Sequence, residues 1–358
     1  MNVETLLADF TERDWQTITE AKPVRFAMVG LGWWTREEAV PAVEESDFCT
    51  TTIVVSGSAD KAESVAREND SVRRGITYEQ FHEGVAADDY DAVYICTPNA
   101  THPAYVETAA DLGKDVLCEK PMAASSDGAR RIIDSCDNAD VTLMIAYRMQ
   151  TEPAIRRARD LIDAGLVGDP IQVHGHMSDC VPELIPDPDQ WRLDPELSGG
   201  ATLIDIGLYP LNTTRFLLDS DPVGVYAETC SEHEWFEDVD ERVSFQAEFE
   251  TGASAVYTVS HNAYTASHLR VLGSEGELTV EPVFFPWDDR ELVVRHGGST
   301  SSVRFEQRNQ MTEEFDYFAH CLRTDSDPVA TGRHGLVDIE AVEAMYESAE
   351  RGERIELS

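Results

Sequence analysis

Residues 24–32 read VRFAMVGLG. This is a short apolar strand that runs straight into a glycine turn. Working outward, TTIVVSGS (51–58), YDAVYICTP (90–98), DVLCEKP (115–121) and VTLMIAYRM (141–149) repeat the pattern of an apolar strand ending at a turn signal. Helical stretches stand between them: EEAVPAVEES, DKAESVAREN, THPAYVETAADLG closed by Gly113, and SSDGARRIIDSCDNA. Strand and helix alternate over roughly 125 residues, which is the βαβ signature of a parallel, doubly wound sheet. The strands are continuous apolar runs, as strands buried on both faces must be.

After about residue 150 the rhythm changes. PAIRRARDLIDAGLVG is helical, and then IQVHGHMS, VYAETCS, RVSFQAEFE, SAVYTVSH, HLRVLGS, GELTVEP, ELVVRH and SVRFEQ alternate with period two. That patterning predicts a large, mainly antiparallel open sheet, followed by helices over roughly 311–323 and 335–351. The expected organisation is an α/β chain of two domains. Residues 1–148 form a Rossmann nucleotide-binding domain with a short N-terminal helix over 4–20. Residues 149–358 form an α+β domain for substrate and oligomerisation.

Charge narrows the setting. The 358 residues carry 68 Asp plus Glu against 28 Lys plus Arg, a formal net of −40, with 42% hydrophobic residues. The acids are dispersed and the apolar content is ample, so the chain is not a disordered acidic tail. Self-repulsion of this size weakens a compact state in dilute buffer, and at ~1 M salt a Debye length of ~3 Å removes most of it. The composition reads as the cytoplasmic protein of a salt-accumulating halophile. Nucleic acid is disfavoured as a partner, because phosphate contacts need clustered Lys and Arg. Seven cysteines without a CxxC pair predict reduced thiols. The acidic N-terminus lacks the apolar core of a signal peptide, and no apolar run approaches the ~18 residues of a membrane span.

Candidate site residues cluster at strand ends. Gly30, Leu31 and Gly32 form the turn of a GxGxxG dinucleotide site, with Thr35 in place of the third glycine. Trp33 and Trp34 follow, either packing beneath a helix or walling a ligand. The second strand ends at Ser56, Gly57 and Ser58 with Lys61 beyond. No carboxylate stands where the 2′-hydroxyl of NAD would need one, which favours the 2′-phosphate of NADP. Alternatively Lys61 is a solvated helix charge. Thr97, Pro98, Asn99 and His102 end the third of these strands, and Glu119-Lys120-Pro121 the next. Lysine is scarce here: Lys22, Lys61, Lys114 and Lys120 are the whole complement. Retention of Lys120 therefore calls for a reason. His174 and His176 share a strand face, read as a structural pair rather than a metal site, and no metal is expected.

Taken together, GLGWW (30–34), CTPNATH (96–102), CEKP (118–121) and GGATLIDIGLYPLN (199–212) resemble the Gfo/Idh/MocA oxidoreductases over nearly the whole chain. VSGSADKA (55–62) and QWRLDPELSGGATLIDIGLYPLNTTRFLL (190–218) are similar to the glucose–fructose oxidoreductase branch. The resemblance implies NADP as cofactor and an aldose as substrate, oxidised at C1 to the lactone, with D-xylose the expected sugar. It implies Lys120 as the catalytic lysine, Asp205 in the substrate pocket and Tyr209 at the acid/base position. Arg148, Trp191 and Arg192 would wall the nicotinamide end. Asn212 stands where the family has an acid, which leaves its role open. Without the resemblance Asp205 would read as a helix cap.

Tyrosine ionises near pH ~10 in isolation, and a neighbouring ammonium lowers that value. Tyr209 is thus expected as the base with Lys120 as its electrostatic partner. Arginine cannot replace the compact, titratable amine. Two other functions fit the same motifs: a glucose–fructose-type enzyme that retains its nucleotide, and an NADP-binding regulator without catalysis. Asp179, Asn262 and Tyr264 are candidates for sugar selection. The open sheet is expected to pair copies into a dimer or tetramer.

Overall fold

The computed structural model describes residues 22–306 and 309–357; the helix expected over 4–20 lies outside them. The chain divides into two compact units. One comprises residues 22–148 and 309–336, the other 149–306 and 337–357.

The first unit is built on six parallel strands: β1 (Val24–Val29), β2 (Cys49–Ser56), β3 (Arg74–Thr77), β4 (Ala92–Ile95), β5 (Asp115–Glu119) and β6 (Leu143–Ala146). Their order is β3-β2-β1-β4-β5-β6. The chain winds outward from β1 to one edge and then from β4 to the other. The order therefore reverses between β1 and β4, where such folds take a ligand outside the carboxyl ends of their strands. Phe26, Val29, Val54, Val93, Ile95 and Leu117 are fully buried, as the apolar runs predict. β3 is not evident from the sequence. Arg74-Gly75-Ile76-Thr77 is short, lies at the sheet edge and buries only Ile76.

The helix Gln310–Thr324 completes this unit. Asn309 caps it, its side chain accepting from the backbone N–H groups of Met311 and Thr312. Phe315 meets Phe26 edge-on with ring centroids 5.1 Å apart, and Phe318 lies 6.2 Å from the same ring. Burying each of these phenyl groups stabilises by ~1.5–3 kcal/mol.

The second unit is a nine-stranded sheet: β7 (Pro170–Cys180), β8 (Pro222–Cys230), β9 (Arg242–Phe249), β10 (Ser254–Ser260), β11 (Asn262–Gly273), β12 (Gly276–Glu281), β13 (Arg290–His296), β14 (Ser299–Phe305) and β15 (Ile355–Glu356), in the order β14-β13-β12-β11-β7-β10-β9-β8-β15. All neighbours are antiparallel except β7 and β10. β9 shows the logic: Val243, Phe245, Ala247 and Phe249 are buried while Arg242, Ser244, Gln246 and Glu248 face water.

The helix Leu208–Leu218 belongs to the same core, and Leu208, Leu211 and Leu217 are buried in it. Arg215 of that helix is buried with its guanidinium 2.8 Å from Asp338 and 2.5 Å from Asp221. Gly200, before the helix, has φ +137°, and an added Cβ would stand 2.0 Å from the Tyr346 hydroxyl. Only glycine fits that close approach.

Candidate active site

In the first unit the turn after β1 is set by Gly30. Its φ is +94°, its N–H donates to the Val55 carbonyl at 3.0 Å, and a Cβ there would lie 2.1 Å from the Cys96 oxygen. The backbone thus crosses tightly over the end of β4, with Leu31 buried beneath. Gly32 has nothing within 4 Å of where its Cβ would be. Trp33 is 57% exposed, whereas Trp34 turns inward with the Arg148 guanidinium over its ring at 5.6 Å. Arg148 also donates to Gln310.

At the end of β2, Ser56 Oγ accepts from the Ser58 N–H, and Ser58 Oγ accepts from the Lys61 N–H, both at 3.3 Å. Ser58 is therefore the cap of the helix Ala59–Glu68. Gly57 lies against the Tyr78 ring. Partial burial and the charge of Arg36 both lower the Lys61 pKa. Arg36 is a residue the sequence reading passed over: it follows the glycine turn on β1, next to β2.

Thr97, Pro98 and Asn99 turn at the end of β4, with Thr101 Oγ1 donating to Thr97 Oγ1 at 2.8 Å. His102 is buried. Its Nε2 is 2.8 Å from the Thr97 carbonyl and its Nδ1 3.1 Å from that of Pro121. Burial outweighs these carbonyls and lowers its pKa to about 4. The ring thus sits as a pin between the turns that end β4 and β5. Glu119 is fixed from both sides: Oε1 accepts from the Tyr94 hydroxyl at 2.7 Å, Oε2 from the Lys120 N–H at 3.1 Å. Burial raises its pKa, opposed by Tyr94, Lys120 and Arg148. Glu314 is fully buried, and neither oxygen has a hydrogen-bond partner among the described residues. Burial, then the charge of Glu119, push its pKa well up.

In the second unit Asp205 lies inside a π-helical turn, Leu203–Gly207, that leads into Leu208–Leu218. The residue preceding that turn is Thr202, so Asp205 is not the helix cap. Such turns are frequent at functional sites. Its Oδ2 accepts from Arg192 Nε at 3.2 Å, and His261 Nε2 is 3.5 Å away. Arg192 in turn lies over Trp191 at 4.6 Å. Tyr209 packs its ring 5.9 Å from Phe284.

Asn212, whose role the sequence left open, is structural. It accepts from Gln150 at 3.0 Å and donates to Asp338 at 2.7 Å. His176 hydrogen-bonds Thr258 and Ser178 and stacks on His268 at 5.8 Å; its ring partner is His268, not His174. Of the sugar candidates, Asp179 is 2.8 Å from His261 Nδ1, Asn262 donates to Glu241, and Tyr264 is 90% exposed.

A doubly wound sheet with a glycine turn at its switch point, together with an open-sheet unit bearing Asp and Tyr on one helical segment, defines a nicotinamide-dependent oxidoreductase of two-unit design. The family models agree. Residues 24–147 match the model for the oxidoreductase family with an NAD-binding Rossmann fold, and residues 155–279 match the GFO/IDH/MocA C-terminal domain. The chain belongs to the Gfo/Idh/MocA oxidoreductases.

It is 56% identical to a D-xylose 1-dehydrogenase [NADP(+)] of Haloarcula marismortui, over the full length of both chains. It is 31% identical to a D-xylose 1-dehydrogenase (NADP(+)) 2 of Haloferax volcanii, over 93% of this chain and 99% of the other. The solved aldose-aldose oxidoreductase of Caulobacter crescentus, complexed with glycerol, superposes with a TM-score of 0.87 at 29% identity, covering 94% of this chain and 100% of that one.

Proposed function

We propose that the chain is an NADP-dependent aldose 1-dehydrogenase acting on D-xylose and releasing the lactone. The full-length 56% identity to the Haloarcula enzyme carries this reading. The acid excess that reads as salt adaptation accords with relatives in Haloarcula and Haloferax.

The nucleotide residues fit NADP. Gly32 leaves open space where backbone can approach a phosphate. Lys61 and Arg36 bring two cations together, and among the described residues neither has a paired carboxylate. In a chain of net charge −40, an unpaired cation pair is suited to a dianion. These two residues, with the Ser56 and Ser58 hydroxyls, hold the 2′-phosphate in this reading. Gly30, Leu31 and Gly32 take the pyrophosphate, and Thr97, Pro98 and Asn99 line the switch point. Trp33, Trp34, Arg148, Trp191 and Arg192 serve the nicotinamide end. NADP, when bound, supplies the two-electron acceptor.

The acid–base work falls to the chain. Tyr209 takes the proton of the C1 hydroxyl, the Lys120 ammonium stabilises the phenolate and hydrogen-bonds the sugar, and Asp205 holds a neighbouring hydroxyl. Glu119 and His102 keep the Lys120 turn in place. Proton transfer to a positioned base is worth ~10²–10⁴-fold in rate.

Copies pair through the open face of the sheet, where Val256 is 46% and Tyr264 90% exposed. The seven cysteines are thiols rather than disulfides, in accord with a reducing cytoplasm. Among the described residues no helix is long and apolar enough to cross a membrane.

The test is protein purified at molar salt, given NADP and a panel of aldoses. Sustained NADPH production with xylose is expected. A single stoichiometric burst means a retained nucleotide, and bound NADP without turnover of any aldose means a regulator; either overturns the reading. A monomer by light scattering removes the pairing.

A further inference from the structure

A single residue, His261, separates β10 from β11. β10 runs parallel to β7 on one side, and β11 antiparallel to it on the other. The chain must therefore pass over the end of β7 within that one residue. The crossing is pinned by backbone: the His261 N–H donates to the Glu241 carbonyl at 3.0 Å, and its carbonyl accepts from Val181 at 2.8 Å. A buried imidazole is thereby brought between two acids, Asp179 of β7 on Nδ1 at 2.8 Å and Asp205 on Nε2 at 3.5 Å. The second distance is long for a hydrogen bond, and Nε2 makes none in this geometry. The attraction to Asp205 is one of charge.

The groups around the ring are few. Arg192 Nε donates to the same Asp205 oxygen at 3.2 Å. Glu241, just before β9, accepts from the N–H groups of Glu232 and His233 and from Asn262. Cys180 follows Asp179 at the end of β7 and contacts Asn262. Burial alone would strip the ring of its proton. Two carboxylates on opposite nitrogens reverse this and raise its pKa to about 9.

We propose that His261, hydrogen-bonded to Asp179 and set by charge against Asp205, is a positioning residue that holds the Asp205 carboxylate ionised and oriented toward the sugar. The assignment rests on the reading that Asp205 takes a sugar hydroxyl. A neutral ring has one N–H to give and would leave one carboxylate facing a lone pair. A protonated ring serves both. Sugar affinity then depends on the charge of a side chain that does not itself touch the sugar.

The bridge is tested without activity by following the imidazole carbons and nitrogens of ¹³C,¹⁵N-labelled protein by NMR against pH. His261 should stay protonated through neutrality, and Asp179→Asn and Asp205→Asn should each move its titration down. A ring that titrates near the ordinary ~6.5 overturns the proposal, whatever the enzyme turns over.

Kinetics test the consequence. In His261→Asn, xylose kcat/KM should fall on the order of 10²-fold, the scale of a misplaced catalytic group. The loss should be carried by KM with NADP affinity unchanged, and the alkaline fall in sugar affinity should disappear. Asp179→Asn should bring that fall to lower pH. A folded His261→Asn with wild-type xylose KM and pH profile sinks the proposal. Wild-type protein inert toward every aldose sinks the functional reading instead and leaves the NMR result standing.

Discussion

The two units treat their enclosed and half-enclosed acids in opposite ways. In the parallel-sheet unit Glu314 is enclosed without a hydrogen-bond partner among the described residues, and the charge it meets first is that of another acid, Glu119. Burial and then Glu119 drive its pKa well up, which favours the protonated acid. In the open-sheet unit Asp179 and Asp205 face an imidazole that is raised to about 9 because they are charged. In a chain with 68 acidic residues, composition does not decide how readily a given carboxyl ionises. The group that shares its cavity does.

The contrast can be broken from either side. The largest effect is expected at Lys120. Lys120→Arg keeps the charge beside Glu119 but loses the compact amine, and should lower kcat by ~10²–10⁴-fold with NADP affinity, read by fluorescence, unchanged. Retention of most of kcat would remove Lys120 from the chemistry.

Next is the buried ion pair of the open-sheet unit. Asp338→Ala leaves Arg215 and Asn212 without their shared acceptor, and should cost ~3–5 kcal/mol in denaturant unfolding at molar salt. A loss below ~1 kcal/mol would mean that the arginine finds other partners.

A smaller effect is expected at the cofactor. Removing either Lys61 or Arg36 to alanine should weaken NADP by ~10-fold, about the 1.4 kcal/mol of one charge-assisted contact, and leave NAD unaffected. Equal loss for both nucleotides would place these cations away from the 2′-phosphate.

The smallest is Glu314→Gln. A raised folded-state pKa means the native protein keeps a proton that the unfolded chain releases above pH ~4.5, so this group subtracts stability as pH climbs toward the folded value. The glutamine variant should match wild type within ~1 kcal/mol near pH ~4 and outlast it increasingly as pH rises above ~4.5. A loss of ~3 kcal/mol at pH 6 would mean an ionised, paired carboxylate.

The fold was legible because its signals are local. VRFAMV, TTIVVS and DAVYIC are apolar runs that only doubly covered strands need, and RVSFQAEF alternates without a break. What escaped was short or edge-bound. β3 and the two-residue β15 bury too little to show a period. The candidate site was legible as motifs: CEKP and DIG single out Lys120 and Asp205, and GLGWW the glycine turn. Their neighbours were not, because spatial company depends on topology. Nothing in TVSHNAY says that the chain will double across the end of β7 and set His261 between two acids far away in sequence. Nor does a helix at 310–324 declare which sheet its phenylalanines will cover.

That last helix bears on how the molecule is made. Phe315 and Phe318 complete the core around Phe26, while residues 337–357 belong to the other unit. Domains ordinarily mature in the order in which they leave the ribosome. Here neither half has its full interior until nearly the whole polypeptide has emerged. The nascent chain must carry two unfinished cores through almost all of its synthesis, and a truncation after residue 306 would deprive both of their last layer.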